Sequence, residues 1–173
     1  SVFNSFKSQK EILSTTMTFF PNSPSLENYL YVFQHGSQYL GYYVNSLKIT
    51  FIGVILTVIL SAMSGYAFAR LPFKGSGAVM AFILFVITFP LAALLIPIYI
   101  MEYNVGLLNT TMGLVLPNVM NVLPFSIFIM RGIFLGLPIE LEEAARMDGC
   151  SVFRTWKDVM APLAKNGMII VLV

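Results

Sequence analysis

The sequence predicts an all-α, polytopic membrane protein, on three observations. Hydrophobic residues make up 57% of the 173 positions and charged residues only 10%, a balance outside that of water-soluble domains. Uncharged runs are long: 21 residues between Lys48 and Arg70, and 27 between Lys74 and Glu102, where about 20 suffice to span a bilayer. The charge that remains is gathered in one place. Pro138–Pro162 holds five of the eight acids, Glu140, Glu142, Glu143, Asp148 and Asp158, together with Arg146, Arg154 and Lys157. Apolar runs flank it on both sides, as they flank a water-side segment between membrane helices. The formal charge of +2 is too small to suggest a nucleic-acid partner. Cys150 is the one cysteine, which excludes an internal disulfide and a Cys-cluster metal site.

Residues 1–43 are polar and aromatic, without a long apolar run. Phe3-Asn4-Ser5-Phe6-Lys7 reads as the exit from a preceding membrane helix, and the chain stops at Val173 inside an apolar run. The expectation is a fragment of a longer protein. Phe20-Pro21-Asn22-Ser23-Pro24 is a turn cluster. An amphipathic helix follows, with Ser25 as its cap and Leu26, Tyr29, Leu30 and Phe33 at helical spacing. Tyr29, Tyr31, Phe33, Tyr39, Tyr42 and Tyr43 suit a membrane interface better than a stack for sugar rings. His35, the only histidine, reads as a solvated loop residue.

The first span is placed at Tyr43–Phe68, with Lys48 reaching toward the interface. Ser61, Ser64 and Gly65 are small enough to admit a neighbouring helix. Leu71-Pro72-Phe73-Lys74-Gly75 is a short turn. The second span is Ala78–Ile100, where kinks at Pro90 and Pro97 can be re-satisfied by neighbours. The third is Thr111–Arg131, and a fourth begins near Lys165. Asn118 and Asn121 are three residues apart on one face of the third span. Polar groups at that depth face protein or a watery path, so they are candidates either for helix–helix hydrogen bonds or for a translocation path.

Orientation follows from the cations. Arg70, Lys74, Arg131, Arg146, Arg154, Lys157 and Lys165 fall on one side, and Lys7, Lys10 and Lys48 on the other. The excess marks the 138–162 side as cytoplasmic. Residues 1–43 are then an extracytoplasmic loop, and 44–173 a membrane domain with a cytoplasmic loop over 132–165.

Within that loop two short helices are expected. Pro138 suits a first helical turn, and Glu140, Glu142 and Glu143 lie near the positive end of the helix dipole. Arg146 can pair with Glu142 or with Glu143. Gly149 after Asp148 ends the first helix, over Pro138–Met147. Ser151 caps a second, Val152–Met160, which Pro162 limits.

Glu143-Ala144-Ala145, three residues, Gly149, nine residues, then Val159-Met160-Ala161-Pro162 resembles the EAA loop of importer permeases of the ATP-binding-cassette class. That pattern reads E-A-A-x3-G-x9-I-x-L-P. Val159 stands for Ile, and Ala161 departs from Leu. Asn45-Ser46-Leu47, Tyr66-Ala67-Phe68-Ala69-Arg70 and Gly106-Leu107-Leu108-Asn109-Thr110 are similar to the carbohydrate branch, as are Pro138 and Asp148. The resemblance runs from about Ser5 to the end.

The resemblance implies part of a six-helix type permease in a bacterial or archaeal cytoplasmic membrane. Its coupling helix, Pro138–Met147, would dock on a separate ATPase subunit through Glu143, Ala144, Ala145, Asp148, Gly149 and Pro162. The implied partners are the ATPase subunits, a second permease subunit, an extracytoplasmic substrate-binding protein and the lipid membrane. This chain would bind no cofactor, since ATP would be used by the partner, and no G-x-x-x-x-G-K-[ST] phosphate loop occurs in it. Two other classes compare poorly. Ala62-Met63-Ser64-Gly65 only weakly resembles the G-x-S-G of rhomboid proteases, and no histidine lies in a span to serve as base. A secondary transporter or channel usually carries an ionisable residue inside a span, and the three spans lack one in their interiors.

Overall fold

The computed structural model describes residues 2–13, 18–71 and 73–172. Pro72 of the expected Leu71–Gly75 turn and the side chain of Lys10 lie outside the described residues. Every regular element among the described residues is helical. The chain divides into two compact units, Ser1–Lys48 and Ile49–Val173.

The first unit holds α1 (Val2–Ser5), α2 (Gln9–Ile12), α3 (Glu27–Gln34) and the first turns of α4 (Gly36–Arg70). Asn28 gathers it, its carboxamide donating to the carbonyls of Ser5 at 3.0 Å and Lys7 at 2.9 Å. The Lys7 side chain is buried and donates to the carbonyl and hydroxyl of Thr18. Ser25 is not the cap of α3. Leu26 holds that position without a side-chain bond, and the Ser25 hydroxyl accepts from the Glu27 N–H at 3.1 Å. A serine hydroxyl makes such a local turn outside a helix as readily as it caps one. Leu26, Tyr29, Leu30 and Phe33 stay exposed.

The expected span Tyr43–Phe68 lies wholly inside α4, which has 35 residues. The expected span Ala78–Ile100 is instead two helices, α5 (Ser76–Val86) and α6 (Leu91–Asn104). The N–H groups of Ile87, Thr88 and Phe89 reach back only three residues, to Leu84, Phe85 and Val86, and Pro90 is extended at ψ 129°. Pro90 offers no N–H to continue the ladder, and its ring drives Phe89 away from helical geometry. Pro97 stays within α6. The third span lies in α7 (Thr111–Gly136), which continues past Arg131 and keeps Pro117 and Pro124 in its interior. Its first turn is capped by Thr110, whose hydroxyl accepts from the Gly113 N–H at 3.1 Å. Helices α4 and α7 are long and apolar enough to cross a membrane.

Past α7 come α8 (Ile139–Met147), α9 (Val152–Thr155), a π-helical turn at Trp156–Met160, α10 (Ala161–Leu163) and α11 (Lys165–Leu172). Pro138 sits just before α8 rather than in its first turn. Pro162 does not limit the second short helix, which runs through it to Leu163. The Ala161 N–H reaches back five residues to Trp156. This wider turn loosens the carbonyls that a proline ring would otherwise strike.

The packed core gathers Ala62 and Tyr66 of α4, Met130 and Phe134 of α7, Met160 and Ala164. The Tyr66 and Phe134 rings meet edge to face with centroids 5.5 Å apart. This core therefore lies beside the charged loop. Elsewhere Phe51, Phe82, Ile96 and Met120 are exposed, as side chains facing lipid or another subunit are.

Candidate functional site

Local rules build the turn of the loop. Three N–H groups close the end of α8: Asp148 to the Ala144 carbonyl, Gly149 to Arg146 and Cys150 to Ala145, each at 3.0 Å. The last two form the paired reversal that ends a helix on a left-handed residue. Gly149 supplies that residue at φ +79°, a conformation in which a β-carbon is strained. Ser151 then caps α9, its hydroxyl accepting from the Arg154 N–H at 3.4 Å. Turn and cap are as the sequence predicts.

The turn presents one face of α8 and withdraws the other. Glu143, Ala144, Asp148 and Gly149 are exposed, as are Glu140 and Met147. Ala145 and Glu142 are buried. Of the two acids that Arg146 could pair with, it takes Glu142, at 2.6 Å. The neighbouring carboxylate, by hydrogen bond first and charge second, raises the Arg146 guanidinium above its ordinary pKa. Pro162 is exposed on α10.

Glu142 is the centre of a buried polar cluster although it is only 4% exposed. The Tyr66 hydroxyl donates to its Oε1 at 3.0 Å, and the Arg70 Nε lies 3.8 Å from its Oε2. Arg70 also donates to the carbonyls of Phe134, at 2.8 Å, and Leu137. These are carbonyls at the end of α7, where a helix leaves acceptors unsatisfied and favours a cation. Reciprocally, the Arg131 Nε donates to the Phe68 carbonyl in the last turn of α4 at 3.4 Å. Sequence reasoning offered Glu142 as one of two partners for Arg146, which the structure bears out, and Arg70 as a cation of the cytoplasmic side, but it placed neither in a buried cluster. The Tyr66–Arg70 stretch was visible as a familiar motif, but its partner 76 positions away was not.

Asn118 and Asn121 line a cavity of about 520 Å³ between α6 and α7, with Tyr99, Glu102, Leu114 and Pro117. Asn118 donates to Leu114 of its own helix at 2.7 Å. Among the described residues neither asparagine bonds to another helix. Its wall is mostly apolar, with Leu95, Ile96 and Ile98 completing it, and two carboxamides, one carboxylate and a phenol are the polar groups set into that wall. Tyr99 and Glu102 were not singled out from sequence, because they share no motif and meet the asparagines only through packing.

Known proteins resemble this chain in sequence and in fold. The family model described as "binding-protein-dependent transport system inner membrane component" matches residues 53–173. A putative ABC transporter permease protein of Caldicellulosiruptor sp. is 36% identical over 170 residues, 98% of this chain and 61% of its own length. An arabinooligosaccharides transport system permease protein of Halalkalibacterium halodurans is 32% identical, over 94% of this chain and 58% of its own. A diacetylchitobiose uptake system permease protein of Streptomyces coelicolor is 36% identical, over 96% and 55%. A crystal structure of a bacterial ABC transporter that imports the acidic polysaccharide alginate superposes with TM-score 0.77 at 26% identity, over 99% of this chain and 59% of that one. The chain thus spans about six tenths of the length of the relatives it matches. By its matched residues, its helices and its loop, the chain belongs to the family of binding-protein-dependent transport system inner membrane components.

Proposed function

We propose that the chain is part of the transmembrane permease subunit of an ATP-driven carbohydrate importer, coupled through α8 to a separate ATPase. The observation that carries this reading is the split face of α8. Glu142 and Ala145 anchor it inward, while Glu143, Ala144, Asp148 and a Met147 that is 88% exposed face outward. An apolar side chain so bare at the water side of a charged loop suits a docking surface. Gly149 sets the angle at which the surface is offered.

In this reading the protein crosses the membrane several times and the loop is cytoplasmic, a sidedness that the cation bias supports. ATP is bound and hydrolysed by the partner subunits, and this chain holds no cofactor. A second permease subunit completes the path, and an extracytoplasmic binding protein delivers the solute. Asn118 and Asn121 line that path, and their carboxamides, set in a mostly apolar wall, can hydrogen-bond the hydroxyls of a carbohydrate. Transport proceeds by alternating access. Closure of the ATPases must hold α8 differently in the two states, since equal affinity for both shifts nothing.

The test is co-purification of the ATPase with the full-length permease carrying Gly149→Val, at matched membrane levels. Weakened association and loss of ATP-dependent uptake are expected. Uptake in vesicles driven by an ion gradient without ATP would instead make the protein a secondary transporter or channel subunit.

A further inference from the structure

Helix α8 has a weak mechanical connection to the spans through its own backbone. Leu137 and Pro138, which join it to α7, are both extended, with ψ 145° and 131°. No helical hydrogen bonds cross such a link. At the other end lies the reversal at Gly149. A pull on α8 must therefore reach the spans largely through side chains.

The side chain placed for this is Glu142. It is buried, it accepts from Tyr66 at 3.0 Å and from Arg146 at 2.6 Å, and it faces Arg70. Arg70 in turn holds the carbonyls of Phe134 and Leu137. One carboxylate thus ties α8 to the last turn of α4 and, through one guanidinium, to the end of α7. Stability alone does not call for this arrangement. Buried ion pairs are often replaceable by apolar side chains without loss, and here the Arg70 Nε and Glu142 Oε2 are buried without a hydrogen bond. What an ion pair adds is direction, because it fixes which turn of α4 moves with α8.

We propose that Glu142, held by Tyr66 and Arg70, is the joint that passes movement of α8 into α4 and α7. Glu142 and Arg70 are positioning residues, and they touch neither solute nor nucleotide. The inference rests on the permease reading above.

The test uses the full-length permease with its co-purified ATPase in proteoliposomes. Leu114, an exposed residue of α7 that lines the cavity of Asn118 and Asn121, is replaced by Cys in a Cys150→Ser background. Its modification by a thiol reagent is timed in the resting complex and after trapping with ATP and vanadate. With Glu142 intact, trapping changes the rate. In Glu142→Gln, which keeps the shape and one acceptor but loses the charge facing Arg70, the ATPase should still co-purify and hydrolyse ATP. The trapping response should fall about tenfold, within the span of measured inter-site couplings. Arg70→Ala should abolish the response, and Arg70→Lys should restore part of it. An unchanged response in Glu142→Gln overturns the joint. So does a response intact per complex with fewer complexes formed, which would make Glu142 a packing residue. Loss of the ATPase from Glu142→Gln also overturns it, by making Glu142 a docking contact. If no ATPase co-purifies even with Glu142 intact, the permease reading falls and the joint falls with it.

Discussion

A β-carbon built on Gly65 would lie 2.6 Å from the β-carbon of Met130 and 2.9 Å from the Arg131 nitrogen. Helices α4 and α7 therefore cross with only a hydrogen between their backbones. The contact sits beside Tyr66 and Phe134 in the core. Gly65→Val should push the helices apart at a cost of about 1–3 kcal/mol, as overpacking of a filled core does. Lower membrane levels and earlier thermal unfolding in detergent are expected. A variant as stable as the wild type would mean that the two helices do not cross there.

Gly149 differs in kind, because a β-carbon there would meet nothing within 4 Å. Its requirement is backbone conformation alone, worth about 1–2 kcal/mol per non-glycine residue in the left-handed region. Gly149→Val should insert at normal levels, release the ATPase on purification and transport near background. Glu143→Ala should be milder, because it removes one exposed side chain and leaves the turn intact. Wild-type transport by Gly149→Val at equal expression would remove the docking role from this loop.

Asn121→Leu separates a path from a fastening. With Asn121 exposed to the cavity, the substitution should alter solute affinity or rate per assembled complex and leave assembly intact. Were Asn121 a fastening to another subunit, assembly would drop by an amount worth on the order of 1 kcal/mol. Transport per assembled complex would then stay unchanged.

Cys150 tests sidedness with a native atom. It is half-buried in the turn after α8. A membrane-impermeant thiol reagent should label it in inside-out vesicles or after lysis and spare it in intact cells. The permease expressed without its ATPase is the control, since docking could cover the thiol. Labelling in intact cells would reverse the orientation.

Features set within a turn or two of helix were legible in the sequence. An uncharged run placed the span within α4, whereas the 27-residue run read as one span is two helices, α5 and α6. Gly149 closed its helix and Ser151 opened the next, because helix ends are satisfied by groups three to six residues away. Family membership was legible too, through spacing in the loop. Four prolines show where local reading stopped. Pro97, Pro117 and Pro124 stay inside helices while Pro90 ends one, since surrounding contacts decide whether freed carbonyls are re-satisfied. The choice between Glu142 and Glu143 was likewise open, as both lie within reach of Arg146. Only the approach of α4, bringing Tyr66 from 76 positions away and Arg70 from the same helix end to face Glu142, decided which acid turns inward. Chain-local hydrogen bonds depend on neighbours in sequence, whereas burial of a charge depends on what packs across it. The sequence by itself therefore determined the spans within α4 and α7, the turn and the family, and the tertiary structure alone decided which carboxylate joins the loop to the spans.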